Sequence, residues 1–237
     1  MRLFIAVNFC ENTKNEILQI QEKLRSRSQK GNFSRPENFH LTLAFLGETP
    51  EEKIPAILDI INRIKTPPFK IYFDHTGCFS RSRKELWYIG VKPDCPGLTL
   101  LKTIHGQLLD SLLKAGCSVD ERPFRAHITL GRQIKCPAPV ILDKPDILVN
   151  VDRISLMRSE NIKGKLIYTE IANSNLSQVV ELNSECVTPD TMMCNSVHTV
   201  INNASSAAIF NAQRAFEGAA GKSHSSYCGT PCNYDSC

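Results

Sequence analysis

The stretches Arg35-Pro36-Glu37-Asn38-Phe39-His40-Leu41-Thr42-Leu43-Ala44-Phe45-Leu46-Gly47-Glu48 and Arg122-Pro123-Phe124-Arg125-Ala126-His127-Ile128-Thr129-Leu130-Gly131-Arg132 carry one tetrapeptide pattern twice, His40-Leu41-Thr42-Leu43 and His127-Ile128-Thr129-Leu130. Polar and apolar residues alternate with the period of two that marks a half-buried strand. The His and Thr of each copy therefore share one face, and the aliphatic residues share the other. Two such strands can bring two imidazoles and two hydroxyls into one cleft. An imidazole titrates near neutrality, so one ring can accept a proton from a nucleophile while the other donates one to a leaving group. The hydroxyls can hydrogen-bond phosphoryl oxygens, and this inventory suits a phosphodiester handled without a metal. A lone His-x-Thr on a strand is usually a satisfied surface pair. Two copies in a chain with six histidines point to an architecture built by doubling.

Outward from the motifs, strands alternate with helices. Residues 2–7 read as a strand, and 13–28 as an amphipathic helix with Ile17, Ile20 and Leu24 on one side. The first motif strand ends at Gly47. Thr49-Pro50-Glu51-Glu52 then gives a helix its N-cap, early proline and acidic first turn, and that helix is expected to run to about Lys65, ahead of Pro67-Pro68. Strands are expected at 69–73 and 86–91, joined by a basic turn. A second long helix opens at Gly97, buries Leu101, Ile104, Leu108 and Leu112, and closes at Gly116. The second motif strand follows, then a proline-rich connection over 137–145 and two closing strands near 152–157 and 165–171. Each half thus supplies a helix upstream of its motif strand.

Composition fits a chain with a substantial core, at 237 residues and 42% hydrophobic content. The apolar run 3–7 is too short for a signal peptide and meets Asn8, Glu11 and Lys14 at once. No stretch is long enough to span a bilayer, so a cytoplasmic location without membrane contact is expected. Of ten cysteines, Cys10, Cys78, Cys95, Cys117 and Cys136 are scattered singly and read as reduced thiols. Charge is uneven: residues 172–237 hold two basic against five acidic side chains, a net of −3, which leaves +7 on the first 171 residues. That excess suits an anionic partner, with Lys23, Arg25, Arg27 and Lys30, and Arg81, Arg83 and Lys84, as a possible rim for RNA phosphates. No glycine-rich phosphate loop and no His/Cys/Asp cluster at metal-ligand spacing occurs in the first 171 residues, so neither ATP nor any metal or other cofactor is expected. Residues 172–237 are rich in Asn, Ser, Ala and Thr and low in charge, and read as a tail, either a flexible appendage, a partner-binding segment or a region unrelated to the enzyme, with one short helix over 207–219. His224, Cys228, Cys232 and Cys237 there lack the tight Cys-x-x-Cys pair of structural zinc sites. The sequon Asn203-Ala204-Ser205 carries little meaning in a cytoplasmic chain.

Both motifs in their flanks resemble the paired motifs of the 2H phosphoesterase superfamily. The flanks are similar to those of its bacterial and archaeal RNA 2',3'-cyclic phosphodiesterase family, first described as 2'-5' RNA ligases. Supporting matches are 2–7, 81–90, and 154–159 through Gly164 to Tyr168, so the resemblance covers 1–171, which is taken as the phosphoesterase domain. It implies an α+β fold of two lobes, related by a pseudo-twofold axis, each an antiparallel sheet with helices outside and the motifs facing across a central cleft. It implies further that His127 is the proton acceptor activating water against a 2',3'-cyclic phosphate, and that His40 is the proton donor to the departing 3'-oxygen. Thr42 and Thr129 would bind the non-bridging oxygens, and Arg132 would grip the phosphoryl group. The implied activity is hydrolysis of RNA 2',3'-cyclic ends to 2'-phosphates by a monomer, with 2'-5' ligation as the reverse direction. The alternatives are a 2H enzyme for a small nucleotide such as an ADP-ribose cyclic phosphate, and a non-catalytic RNA-binding module.

Overall fold

The computed structural model describes residues 1–81 and 84–176. In chain order its elements are β1 (Arg2–Asn8), α1 (Glu11–Ser26), β2 (Lys30–Phe33), β3 (His40–Glu48), α2 (Ile54–Asn62), β4 (Phe69–Arg81), β5 (Lys84–Val91), α3 (Pro96–Lys114), β6 (His127–Lys135), β7 (Ile147–Val151), β8 (Arg153–Ile162) and β9 (Lys165–Asn175). The strands form one curled sheet in the order β7-β4-β5-β6-β3-β1-β8-β9, with β2 also paired to β6. Every pairing is antiparallel. The motif strands β3 and β6 are the two central neighbours. On one side of them lie β1, β8 and β9, and on the other β5, β4 and β7, so each lobe places its motif strand at the seam. The two motif strands pair with each other at one register position, Leu41 with Ile128.

The two faces of the sheet differ. Leu3, Ile5, Val7, Leu41, Leu43, Ile89, Ile128 and Leu130 face the main core and are at most 4% exposed. Helices α1 and α3 cover that face with Ile17 and Leu24, and with Leu101, Ile104, Leu108 and Leu112, at the i, i+3, i+4 spacing of an amphipathic stripe. α3 sits very close to the sheet. A Cβ on Gly97 in its first turn would stand 2.0 Å from the carbonyl oxygen of Lys70 on β4. The opposite face holds a smaller cluster of Phe4, Ala6 and Met157 flanked by Phe45 and Tyr168, and the histidines lie on this side.

Several elements differ from expectation, β8 among them in running on to Ile162. β4 runs to Arg81 and not to Phe73: 69–73 pairs with β7 and buries Phe69, Ile71 and Phe73 in alternation, whereas 75–81 pairs with β5 and lacks that apolar alternation. β9 runs to Asn175 and not to Ile171. Strands β2 and β7 form where connections were expected: β2 is a four-residue strand beside β6, and β7 follows a proline-rich segment yet buries Ile147, Val149 and Val151 in strict alternation. The helix expected from Thr49 to Lys65 is a 3-10 turn at Glu51–Lys53 followed by α2, which ends at Asn62. Cys10, Cys78, Cys95, Cys117 and Cys136 are free thiols. Among the described residues no helix is long and apolar enough to cross a membrane. The expected helix over 207–219, the group His224, Cys228, Cys232 and Cys237, the sequon at Asn203, and the side chains of Arg81, Arg83 and Lys84 lie outside the described residues.

Candidate active site

Residue parity decides what reaches the cleft. Leu41 and Ile128, paired across the seam, are fully buried on the core side, so His40, Thr42, His127 and Thr129 project from the other face. The antiparallel sense sets His40 towards Thr129 and Thr42 towards His127. On the outer flank of each motif strand the register is Asn8 beside His40 and Ala6 beside Thr42, and Gly90 beside His127 and Tyr88 beside Thr129.

Both rings are anchored in the same way. His40 Nδ1 lies 2.7 Å from the carbonyl of Asn38, and His127 Nδ1 lies 2.7 Å from the carbonyl of Arg125, two residues upstream in each motif. A carbonyl only accepts, so Nδ1 carries the proton and the Nε2 of each neutral ring presents a lone pair. His40 Nε2 is 3.0 Å from Thr42 Oγ1 and accepts its hydroxyl proton. Among the described residues His127 Nε2 has no such partner, and its lone pair is free.

Aromatic walls enclose each imidazole. Phe4 and Tyr168 stand 4.9 and 5.1 Å from His40, ring centre to ring centre. Tyr88 and Phe79 stand 5.7 and 5.8 Å from His127. Burial, with the charges of His127 and Arg132 beside it, lowers the pKa of His40 from 6.5 to about 4 against the opposing pull of the Asn38 carbonyl. Burial likewise lowers that of His127, helped by the positive charges of Arg132 and Arg125. Arg132, paired in register with Asn32 on β2, is exposed. Its positive charge is among those that lower the pKa of both rings.

Several contributors escape a reading of residue types. Asn38 closes the site twice: its carbonyl holds His40, while its side chain donates to Leu166 O at 2.8 Å and accepts from Tyr168 N at 3.2 Å, tying β9 and the Tyr168 wall to the first motif. Tyr88 was hidden beside Trp87, which points to the core and is 9% exposed; strand parity opposite Thr129 is the signal that finds it. Beside His127 the cleft deepens into a cavity of about 220 Å³ lined by Phe79, Tyr88, Phe124, Arg125 and Lys102 among others. Three of the basic residues at the end of α1 and just beyond it make surface contacts. Lys23 pairs with Asp143 at 2.6 Å, Arg27 donates to the Ile141 carbonyl, and Arg25 lies over Phe33.

A curled antiparallel sheet with a His-x-Thr strand from each lobe at its seam defines a two-histidine phosphoesterase. Residues 7–88 match the family described as LigT like phosphoesterase. An RNA 2',3'-cyclic phosphodiesterase of Archaeoglobus fulgidus is 34% identical over 145 residues, 60% of this chain and 78% of that protein. One of Thermotoga maritima is 34% identical over 167 residues, 67% and 87% of the two chains. A crystal structure of Escherichia coli LigT complexed with 3'-AMP matches with a TM-score of 0.66 at 29% identity, covering 75% of this chain and 98% of that one. The chain belongs to the LigT-like phosphoesterase family.

Proposed function

We propose that this protein hydrolyses RNA 2',3'-cyclic phosphate ends to 2'-phosphates, with His127 as general base and His40 as general acid. The observation that carries the reading is the pair of imidazoles on one concave face, each held by the carbonyl two residues upstream with Nε2 turned away from that anchor. The names of the relatives, RNA 2',3'-cyclic phosphodiesterases, supply the substrate class.

His127 Nε2, free of an internal partner, takes a proton from water as its oxygen attacks phosphorus. The P–O3' bond breaks on the far side, and His40 delivers its proton to the departing 3'-oxygen, leaving the phosphate on O2'. Each positioned proton transfer contributes about 10²- to 10⁴-fold. Thr42 and Thr129 hydrogen-bond the non-bridging oxygens, and the Arg132 guanidinium balances the charge that builds on them. An RNA 5'-hydroxyl in place of that water runs the same geometry towards a 2'-5' linkage. The cavity beside His127 offers aromatic faces with Arg125 and Lys102 at its wall. These are the partners that an unstacked base and a phosphate at a single-stranded end require. No metal enters the scheme.

The test is the end group formed from an oligonucleotide bearing a 2',3'-cyclic phosphate. A 2'-phosphate product is expected, with turnover nearly abolished in His40→Ala and in His127→Ala and the double variant little worse than either. A 3'-phosphate product, or turnover surviving either change, overturns the assignment.

A further inference from the structure

Two side chains outside the cleft hold the same backbone position of the two motifs. His105 on α3 donates from Nδ1 to the carbonyl of Leu43 at 2.8 Å. Gln21 on α1 donates from Nε2 to the carbonyl of Leu130 at 2.7 Å. Leu43 and Leu130 are the fourth residues of their tetrapeptides. The bonds cross between halves, since α1 leads into β3 yet Gln21 grips β6, and α3 leads into β6 yet His105 grips β3.

Each of these side chains also touches the segment that enters the opposite motif. Gln21 Nε2 donates a second bond, 2.7 Å, to the carbonyl of Ser34, just upstream of the run that reaches His40. The His105 ring stacks on Phe124 at 4.5 Å and 15°, and Phe124 precedes Arg125, whose carbonyl holds His127. Gln21 is fully buried, and its Oε1 has no hydrogen-bond partner. An orphaned buried oxygen is costly, so this amide is kept for its two N–H bonds. The backbone joins the motifs at few points: β3 and β6 share one pair, and beside the bonds of Gln21 the Ser34 N–H, just past the end of β2, donates to the Leu130 carbonyl at 2.9 Å.

We propose that Gln21 and His105 are a matched pair of positioning residues that set the separation of His40 and His127 across the seam. This rests on the reading of the two rings as an acid and base pair. Each fastens the exit of one motif to the entry of the other, so losing either one lets the rings drift apart. Misplacement near 1 Å costs a reaction of this kind about 100-fold.

The experiment compares Gln21→Met, His105→Phe, their double variant and His105→Asn, whose Nδ2 can take the place of Nδ1. Steady-state kinetics on a 2',3'-cyclic phosphate oligonucleotide are paired with NMR titration of the His40 and His127 rings in the same proteins without substrate. Gln21→Met and His105→Phe are each expected to lower kcat by roughly 10- to 100-fold with KM nearly unchanged. The double variant should be little worse than the singles, and His105→Asn should recover most of the loss. The His40 ring should titrate closer to the ordinary histidine range in both loss variants, as its cleft loosens. A fall in melting temperature with kcat and both ring titrations unchanged overturns the proposal. Should His105→Phe fail to fold, Gln21→Met and His105→Asn decide it by the same criteria. If the unmodified protein has no turnover, the hydrolase reading fails by itself, and ring titrations that stay put in Gln21→Met overturn the positioning role separately.

Discussion

In the proposed role of acid His40 must carry a proton, yet the protein alone opposes that charge. Burial, then the neighbouring charges of His127 and Arg132, bring its pKa to about 4, and that of His127 also lies below the ordinary value. Both rings are therefore neutral at pH 7 before substrate arrives. A phosphate between them supplies the negative charge that favours the imidazolium and raises both values. The expected outcome is a kcat profile whose alkaline limb lies at higher pH than that of kcat/KM, since the first reports the complex and the second the free protein. Rate profiles across pH 4 to 9, with calorimetry in two buffers to count the proton taken up on binding, check this; identical limbs and no uptake would count against His40 as the acid. Stability follows the same sign. A ring whose folded pKa lies below its unfolded value of about 6.5 favours the folded state above that pH, and the contribution is lost as pH falls from there towards about 4.

α3 shows how tightly an element can be set by one small residue. Gly97→Ala would push a Cβ to 2.0 Å from the Lys70 carbonyl oxygen, backbone that cannot turn aside. The expected loss is about 2 kcal/mol, read from urea unfolding midpoints; an unchanged midpoint would mean that α3 can lift from β4 freely. The α3 stripe Leu101, Ile104, Leu108 and Leu112 was legible because apolar spacing names a buried face directly. On α1 the spacing was right at Ile17 and Leu24, but the fully buried residue between them is Gln21, while Ile20 is only partly buried. A polar side chain at a core position reads as a break in the stripe, although it signals a bond to be found. The motif strands were legible to the residue, since parity alone assigns His and Thr to one face. Their anchors were not, because the Asn38 and Arg125 carbonyls belong to the backbone, which residue type does not describe. Strand ends were obscured for a different reason: 75–81 of β4 pair with β5 but carry no strong apolar pattern.

For the whole molecule, the last strand settles how much chain the sheet requires. Residues Ala172 to Asn175 pair with Leu156 to Arg153, and Leu176 is 6% exposed with its N–H on the Asp152 carbonyl at 2.7 Å. A chain ending at Ile171 therefore strips β8 of four of its ten pairs with β9, whereas one ending at Leu176 keeps every described pairing. Truncation after Leu176 is expected to match the full chain in melting temperature and turnover, and truncation after Ile171 to melt several degrees lower. Equal melting of the two truncations would show that the end of β9 adds nothing. The order in which the strands join has a further consequence for how the protein is made. The lobe of β4, β5, β6 and β7 is contiguous in the chain, but Leu3 of β1 pairs with Arg158 of β8. β1 must therefore wait while roughly 150 more residues are synthesised, on the order of 10 s. Through that interval the nascent chain carries His40 with one wall of its cleft still unmade, and the hydrolase comes into being only as its closing hairpin emerges.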